Sequence, residues 1–212
     1  MKKILFFNLI ILSICAYAVV HEHPSFIVDY DKIAPAYVAY TLKASDLADK
    51  KRVNIAFNKC PFNNTLDPKL YSGLGDKGHC CAADDREANG NADTYYTCNV
   101  MLQCPILNRG SYKALEYRLR VRAKQGENLY IVCGPRFKHG NETIVPDSCF
   151  KCLLKDGKVT EAWIFPNNER SRGPPDKFKV APEVFVKEIK LDYKSIYKAL
   201  RKKEINLSIS PV

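Results

Sequence analysis

Apolar and polar residues are arranged in distinct runs along this chain, and the period of each run predicts one element. Residues 36–42 (Ala-Tyr-Val-Ala-Tyr-Thr-Leu) and 53–57 (Val-Asn-Ile-Ala-Phe) are rich in aromatic and β-branched side chains and read as strands. Between them Ser45-Asp46-Leu47-Ala48-Asp49 reads as a short helical or turn connection, and the Asn-, Pro- and Gly-rich residues 58–75 as loop. Residues 94–103 form another strand candidate. After Leu107-Asn108-Arg109-Gly110-Ser111 the period changes. Tyr112, Leu115, Leu119 and Ala123 recur at intervals of three and four, which places one apolar stripe on a helix. Glu116 lies about 40° around from Tyr112 at the nominal 100° per residue, so it borders that stripe. Arg118, Arg120, Arg122 and Lys124 crowd the helix's second half.

Leu129 to Cys133, closed by Gly134-Pro135, is a short apolar strand, and residues 149–154 and 160–165 are two more around Asp156-Gly157, a strong hairpin signal. Residues 166–177 read as exposed loop, and from Glu183 onward apolar and basic residues alternate at helical spacing, predicting one or two helices. Strands and helices interleave without regular β-α alternation. The expectation is an α+β fold, a mostly antiparallel sheet core flanked by helices. With 212 residues and no repeat, low-complexity tract or linker, a single domain over 19–212 is expected.

The ends and the charge add a compartment. Lys2-Lys3, the apolar run Ile4 to Cys15 and Ala16-Tyr17-Ala18 read as a signal peptide over 1–18, implying a secreted or periplasmic protein; an uncleaved anchor is the alternative, disfavoured by the short apolar core. Loss of Lys2 and Lys3 lowers the formal charge from +10 to +8, so the mature chain stays basic and suited to nucleic acid, anionic lipid or acidic polysaccharide. Eight cysteines remain after Cys15, a count that suggests disulfides without selecting a pairing. Cys149 and Cys152 form the one Cys-x-x-Cys, but on a strand their thiols point to opposite faces, which argues against a shared zinc. His21 and His23 offer a metal-binding terminus in principle and read better as disordered surface. Asn63, Asn141 and Asn206 begin glycosylation sequons.

His79, one of four histidines, suits proton abstraction near neutral pH. Asn108 could be a helix cap, and Glu116 with Arg120 an ordinary i to i+4 ion pair. Their surroundings change the picture. In order stand Asp76-Lys77-Gly78-His79, Ala82-Ala83-Asp84, Asn99 and Gln103, Leu107-Asn108-Arg109-Gly110, Ala114-Leu115-Glu116 and Arg120. This set resembles the DNA/RNA non-specific endonucleases of the ββα-metal (His-Me finger) superfamily, whose signature is Asp-Arg-Gly-His followed by Asn-Arg-Gly. The resemblance spans residues 27–193.

It implies a ββα-metal finger carrying the active site of a magnesium-dependent endonuclease, with Mn²⁺ as the substitute ion and DNA and RNA as substrates. His79 would be the general base, Asn108 the direct metal ligand, and Glu116 a catalytic group reaching the ion through water. Arg120 would be catalytic and bind phosphate. Lys77, Asn99 and Arg109 join Arg120 in the substrate-binding set, Asn99 supporting the site near His79. Lys77 stands where the family has arginine, and Cys80-Cys81 where it more often has Leu-Ala. A nucleic-acid-binding or uptake protein with weak or no catalysis is the alternative.

Overall fold

The computed structural model describes residues 21–30, 33–47, 55–61, 67–86, 92–138 and 143–209. Residues 1–18, the start of the 53–57 strand and the sequon asparagines 63 and 141 lie outside these.

A seven-stranded sheet, antiparallel throughout, forms the centre. Its strands are β1 (His21–Glu22), β2 (Ile27–Tyr30), β3 (Pro35–Leu42), and, after a separate hairpin of β4 (Asp76–His79) and β5 (Val100–Gln103), β6 (Leu129–Arg136), β7 (Ser148–Lys155), β8 (Lys158–Pro166) and β9 (Lys179–Val180). The spatial order is β1-β2-β3-β6-β7-β8-β9. Asp156 and Gly157 both take positive φ, 52° and 73°, which lets two residues close the β7–β8 hairpin.

Helices cover both faces, so the strands are apolar on both sides. One face carries α1 (Lys113–Lys124): Tyr112, Leu115, Leu119 and Ala123 pack with Val38, Tyr40, Leu42, Ile131, Cys133 and Trp163, as the stripe predicts. The opposite face carries α2 (Pro182–Glu188) and α3 (Tyr193–Ile209), whose Phe185, Tyr193, Ile196 and Leu200 meet Ala39, Val132, Phe150 and Cys152. Cys149 and Cys152 do fall in different layers. All eight cysteines of residues 60–152 stand as thiols, seven of them buried. The seven buried thiols serve as core side chains.

Two expected strands differ. Residues 55–57 are irregular, and Asn58 makes an isolated bridge to Tyr96. Of 94–103 only Val100–Gln103 is strand; Ala92–Tyr95 and Thr97–Asn99 are tight turns. The Asn99 side chain explains this, since its Nδ2 donates to the Thr94 carbonyl at 2.8 Å and fixes the turn that alternation alone would extend. The terminus also differs from expectation: His23 is only 1% exposed, stacked on Phe26 at 4.5 Å between ring centres.

Candidate active site

The β4–β5 hairpin and the helix after it build the site. Asp76 pairs with Gln103 and His79 with Val100 across the hairpin. The motif glycine has a packing role, because a Cβ on Gly78 would collide with the Gln103 side-chain amide. Beyond β5 the chain enters a wide helical turn (Leu107–Tyr112), kinked at Gly110, that runs into α1. The kink sets Asn108 and Arg109 back towards β4. Asn108 Nδ2 donates to Asp76 Oδ2 at 3.0 Å, and Arg109 grips both Asp76 oxygens at 2.8 and 2.7 Å. Arg109, then Asn108, hold the Asp76 carboxyl below its usual range against the opposing effect of burial. Asp76 thus ties the first strand of the finger to the start of its helix.

His79 sits half-buried at the end of β4. Tyr95 meets its ring edge-on at 5.0 Å, and Phe57 lies tilted against it at 5.1 Å. Lys77 Nζ lies 5.7 Å from the centre of the same Phe57 ring. Under this segment, Asn99 accepts from the Cys81 amide at 2.8 Å and donates to the Cys81 carbonyl at 2.9 Å. Its full burial rules out the substrate contact assigned to it. Its two hydrogen bonds to Cys81 hold the chain that leaves His79. Cys80 and Cys81 are wholly buried behind the site.

Glu116 reaches the same space from α1. Burial pushes its carboxyl up, and the Lys151 ammonium, 3.4 Å away, works in the opposite direction. Lys151 comes from the middle of β7, is fully buried, and faces the Tyr112 ring at 4.6 Å and the Tyr40 hydroxyl at 3.4 Å. Burial lowers the lysine's proton affinity, but Glu116, first among several neighbours, more than restores it, so Lys151 stays cationic.

An open cavity of ≈ 250 Å³ is lined by Lys77, His79, Asn108, Arg109 and Glu116 together with Phe57, Ala82, Ala83, Asp84 and Lys113. Five of the seven residues singled out from sequence therefore converge. Asn99 lies beneath, and Arg120 lies next door. Arg120 Nη1 pairs with Asp85 at 2.9 Å and borders a second cavity of ≈ 270 Å³ with Leu47, Tyr117, Val121, Lys124 and Asp84, which belongs to both walls. Asp85 is itself fixed by the Tyr40 hydroxyl at 2.9 Å. Sequence reasoning missed Lys151, Asp85, Tyr95 and Phe57. A lysine inside the apolar run Cys-Phe-Lys-Cys-Leu-Leu was the available signal for the first; the others have none.

The structure thus sets His79 on a two-stranded hairpin, Asn108 on the wide turn that follows and Glu116 on α1, a ββα arrangement. The chain belongs to the DNA/RNA non-specific endonuclease family, whose profile matches residues 11–198. It is 37% identical over 96 residues to a nuclease of Nostoc sp., an alignment covering 42% of this chain and 35% of that protein. It is 37% identical over 70 residues to mitochondrial endonuclease G of Homo sapiens, covering 32% of this chain and 24% of that one. The matched regions thus span about a third or less of these curated relatives. In three dimensions it resembles EndoG as solved in the EndoG/EndoGI complex, with a TM-score of 0.67 and 22% identity over 82% of this chain and 85% of that one. That likeness shows a shared fold.

Proposed function

We propose that this protein is a magnesium-dependent endonuclease that hydrolyses phosphodiester bonds of both DNA and RNA without base preference. The observation that carries this reading is the convergence of His79, Asn108 and Glu116 on one cavity with Lys77, Arg109 and Lys113 at its wall.

The donor set suits a hard divalent cation. The Asn108 amide nitrogen is committed to Asp76, which leaves its carbonyl oxygen for a metal, and Glu116 and Asp84 add carboxylates in the same cavity. Mg²⁺ retains water and needs few protein ligands, so Asn108 directly and Glu116 through water are sufficient, and Mn²⁺ can take its place. When bound, the ion would offset negative charge on the phosphate and the leaving oxygen.

The protein's own groups supply the rest. His79 accepts the proton of the attacking water, its ring kept in place by Tyr95 and Phe57. Lys151 opposes the rise that burial imposes on the Glu116 carboxyl. Arg109 and Lys77 meet phosphate oxygens, Lys77 as a point charge in place of a bidentate guanidinium. Arg120 and Lys124 extend the basic track into the adjoining cavity. Contacts of this kind go to the backbone and carry no base information. Export, supported by the pattern of residues 1–18, would give such an enzyme access to external nucleic acid.

Plasmid DNA and single-stranded RNA incubated with the protein test the proposal. Both are expected to be degraded with Mg²⁺ and spared with EDTA, and His79→Ala should slow cleavage by about 10²–10⁴-fold. Salt-sensitive binding without any metal-dependent cleavage by the wild type would overturn it and leave a capture or uptake protein.

A further inference from the structure

Away from the catalytic cavity, three metal-ligating side chains from distant parts of the chain converge in the core. His23 Nε2 lies 3.5 Å from Cys60 Sγ and 3.5 Å from Cys98 Sγ, and the three donor atoms all fall within 4.8 Å of one another. All three residues are buried, at 1%, 3% and 0% exposure. We propose that His23, Cys60 and Cys98 form a second, structural metal site for a thiophilic divalent cation of the zinc type, separate from the oxygen-lined site at Asn108 and Glu116.

The spacing fits that chemistry. Zinc bonds of about 2.3 Å to sulfur and about 2.05 Å to nitrogen at a tetrahedral angle place sulfur and nitrogen roughly 3.6 Å apart. Both N···S edges here are 3.5 Å, close to that separation, and all three donor atoms lie within 4.8 Å of one another. The charge also closes. Two thiol protons leave for solvent, two S–metal bonds and one N–metal bond form, and no electron is transferred. Two thiolates and a neutral imidazole then balance a divalent ion, which makes its burial tolerable. A fourth coordination position is left for a water or small anion.

The scaffold holds the donors in place before any ion arrives. Phe26 stacks on the His23 ring, Tyr96 flanks it at 5.8 Å, and the His23 amide donates to the Phe26 carbonyl at 2.8 Å. Near Cys60, the Asn58 amide donates to the Tyr95 carbonyl at 3.0 Å, and the Thr97 amide donates to the Asn58 carbonyl at 2.9 Å, which brings Cys60 alongside Cys98. The sequence concealed this grouping, since 36 residues separate His23 from Cys60 and 37 separate Cys60 from Cys98. A filled site would clamp the turn between β1 and β2, the loop at residue 60 and the turn leading into β5. Cys98 immediately precedes Asn99, so the clamp stands directly behind the finger that carries His79. The inference does not depend on nuclease activity.

Co²⁺ titration of the full-length protein under reducing conditions tests it. One equivalent should produce a thiolate-to-cobalt charge-transfer band with tetrahedral d–d bands, displaced by one equivalent of Zn²⁺; an ion held only by oxygen donors at the catalytic cavity gives no such charge transfer. The band should vanish in Cys60→Ser and Cys98→Ser and persist in Cys104→Ser, whose thiol lies outside the cluster. Zinc loading should raise the unfolding temperature by at least about 5 °C. No charge-transfer band in the wild type, or a band retained in both folded serine variants, overturns the proposal. Should the serine variants fail to fold, alkylation of the wild type decides: protection of Cys60 and Cys98 by Zn²⁺ supports the site, and modification of both in the presence of Zn²⁺ refutes it. Isolation of the protein metal-free with a Cys60–Cys98 disulfide as its main species would also refute it.

Discussion

Lys151 Nζ and Glu116 Oε1 lie 3.4 Å apart, the lysine fully buried in the sheet and the glutamate lining the cavity it shares with His79 and Asn108. Removing one partner of such a pair leaves an uncompensated buried charge. Lys151→Met should therefore destabilise the fold by about 3–5 kcal/mol, and pairing it with Glu116→Gln should recover much of that loss. Urea denaturation of the two single variants and the double variant measures the coupling; strictly additive losses would show that the contact does not matter. The lysine also opposes the rise that burial imposes on Glu116. Without it the carboxyl takes its proton at a higher pH, so the acid limb of the cleavage profile of Lys151→Met should move upward in pH.

Gly78 presents a steric prediction. Its missing side chain gives room to the Gln103 amide across the hairpin, so Gly78→Ala should destabilise by about 1–3 kcal/mol and displace His79, one residue on. Gln103→Ala should restore most of the lost stability and cleavage in the double variant, because it removes the atoms the new methyl meets. No rescue in thermal unfolding or activity would place the need for glycine elsewhere.

Much of this was legible before any coordinates, and the limits have a physical pattern. The helix stripe from Tyr112 to Ala123 and the Asp156-Gly157 hairpin emerged as expected because period and turn chemistry are local properties. The 94–103 run failed because a non-local side-chain amide, Asn99 on Thr94 and Cys81, overrides alternation. His79, Asn108 and Glu116 were singled out through an ordered motif, and the structure brings them to one cavity. Their supports were not, since the Lys151 ion pair, the Tyr40–Asp85–Arg120 chain and the Phe57 and Tyr95 rings are tertiary contacts without a sequence period. The same reason hid His23, which its position near a terminus places on a disordered surface and packing places in the core.

The basic residues around the two cavities should separate by role in their salt response. Lys77 and Lys113 line the cavity that holds His79 and Asn108, and neutralising a phosphate releases counterions, so Lys77→Ala or Lys113→Ala should each lower the slope of log affinity against log salt by about 1. Arg120 is engaged with Asp85, and Arg120→Ala would in addition leave that buried carboxylate short of a partner. Its loss should therefore lower thermal stability as well as binding, whereas the lysine variants should leave stability within about 0.5 kcal/mol of wild type. Fluorescence anisotropy with a labelled single strand across a salt series, alongside thermal melts, distinguishes the two behaviours; an unchanged slope in both lysine variants would move the substrate track elsewhere.

Glu161 on β8 gives the clearest dependence of stability on pH. Arg122 from α1 reaches it at 2.7 Å and Lys179 from β9 at 2.8 Å, so one carboxylate joins α1 to the sheet and the sheet to its edge. Partial burial acts to raise its pKa, but Lys179 and then Arg122 outweigh that effect and hold it below the ordinary 4.5. For a carboxyl depressed on folding, the stabilisation is complete above the unfolded value and is lost as pH falls through the lower folded value. Glu161→Gln should thus cost about 1 kcal/mol at pH 7, a figure kept small because the pair is partly solvated. The difference from wild type should shrink towards zero as pH drops below the ordinary glutamate range. Urea midpoints for both proteins at neutral pH and at about pH 3 give the comparison. A deficit of equal size at both pH values would mean that the glutamate contributes by packing and not by charge.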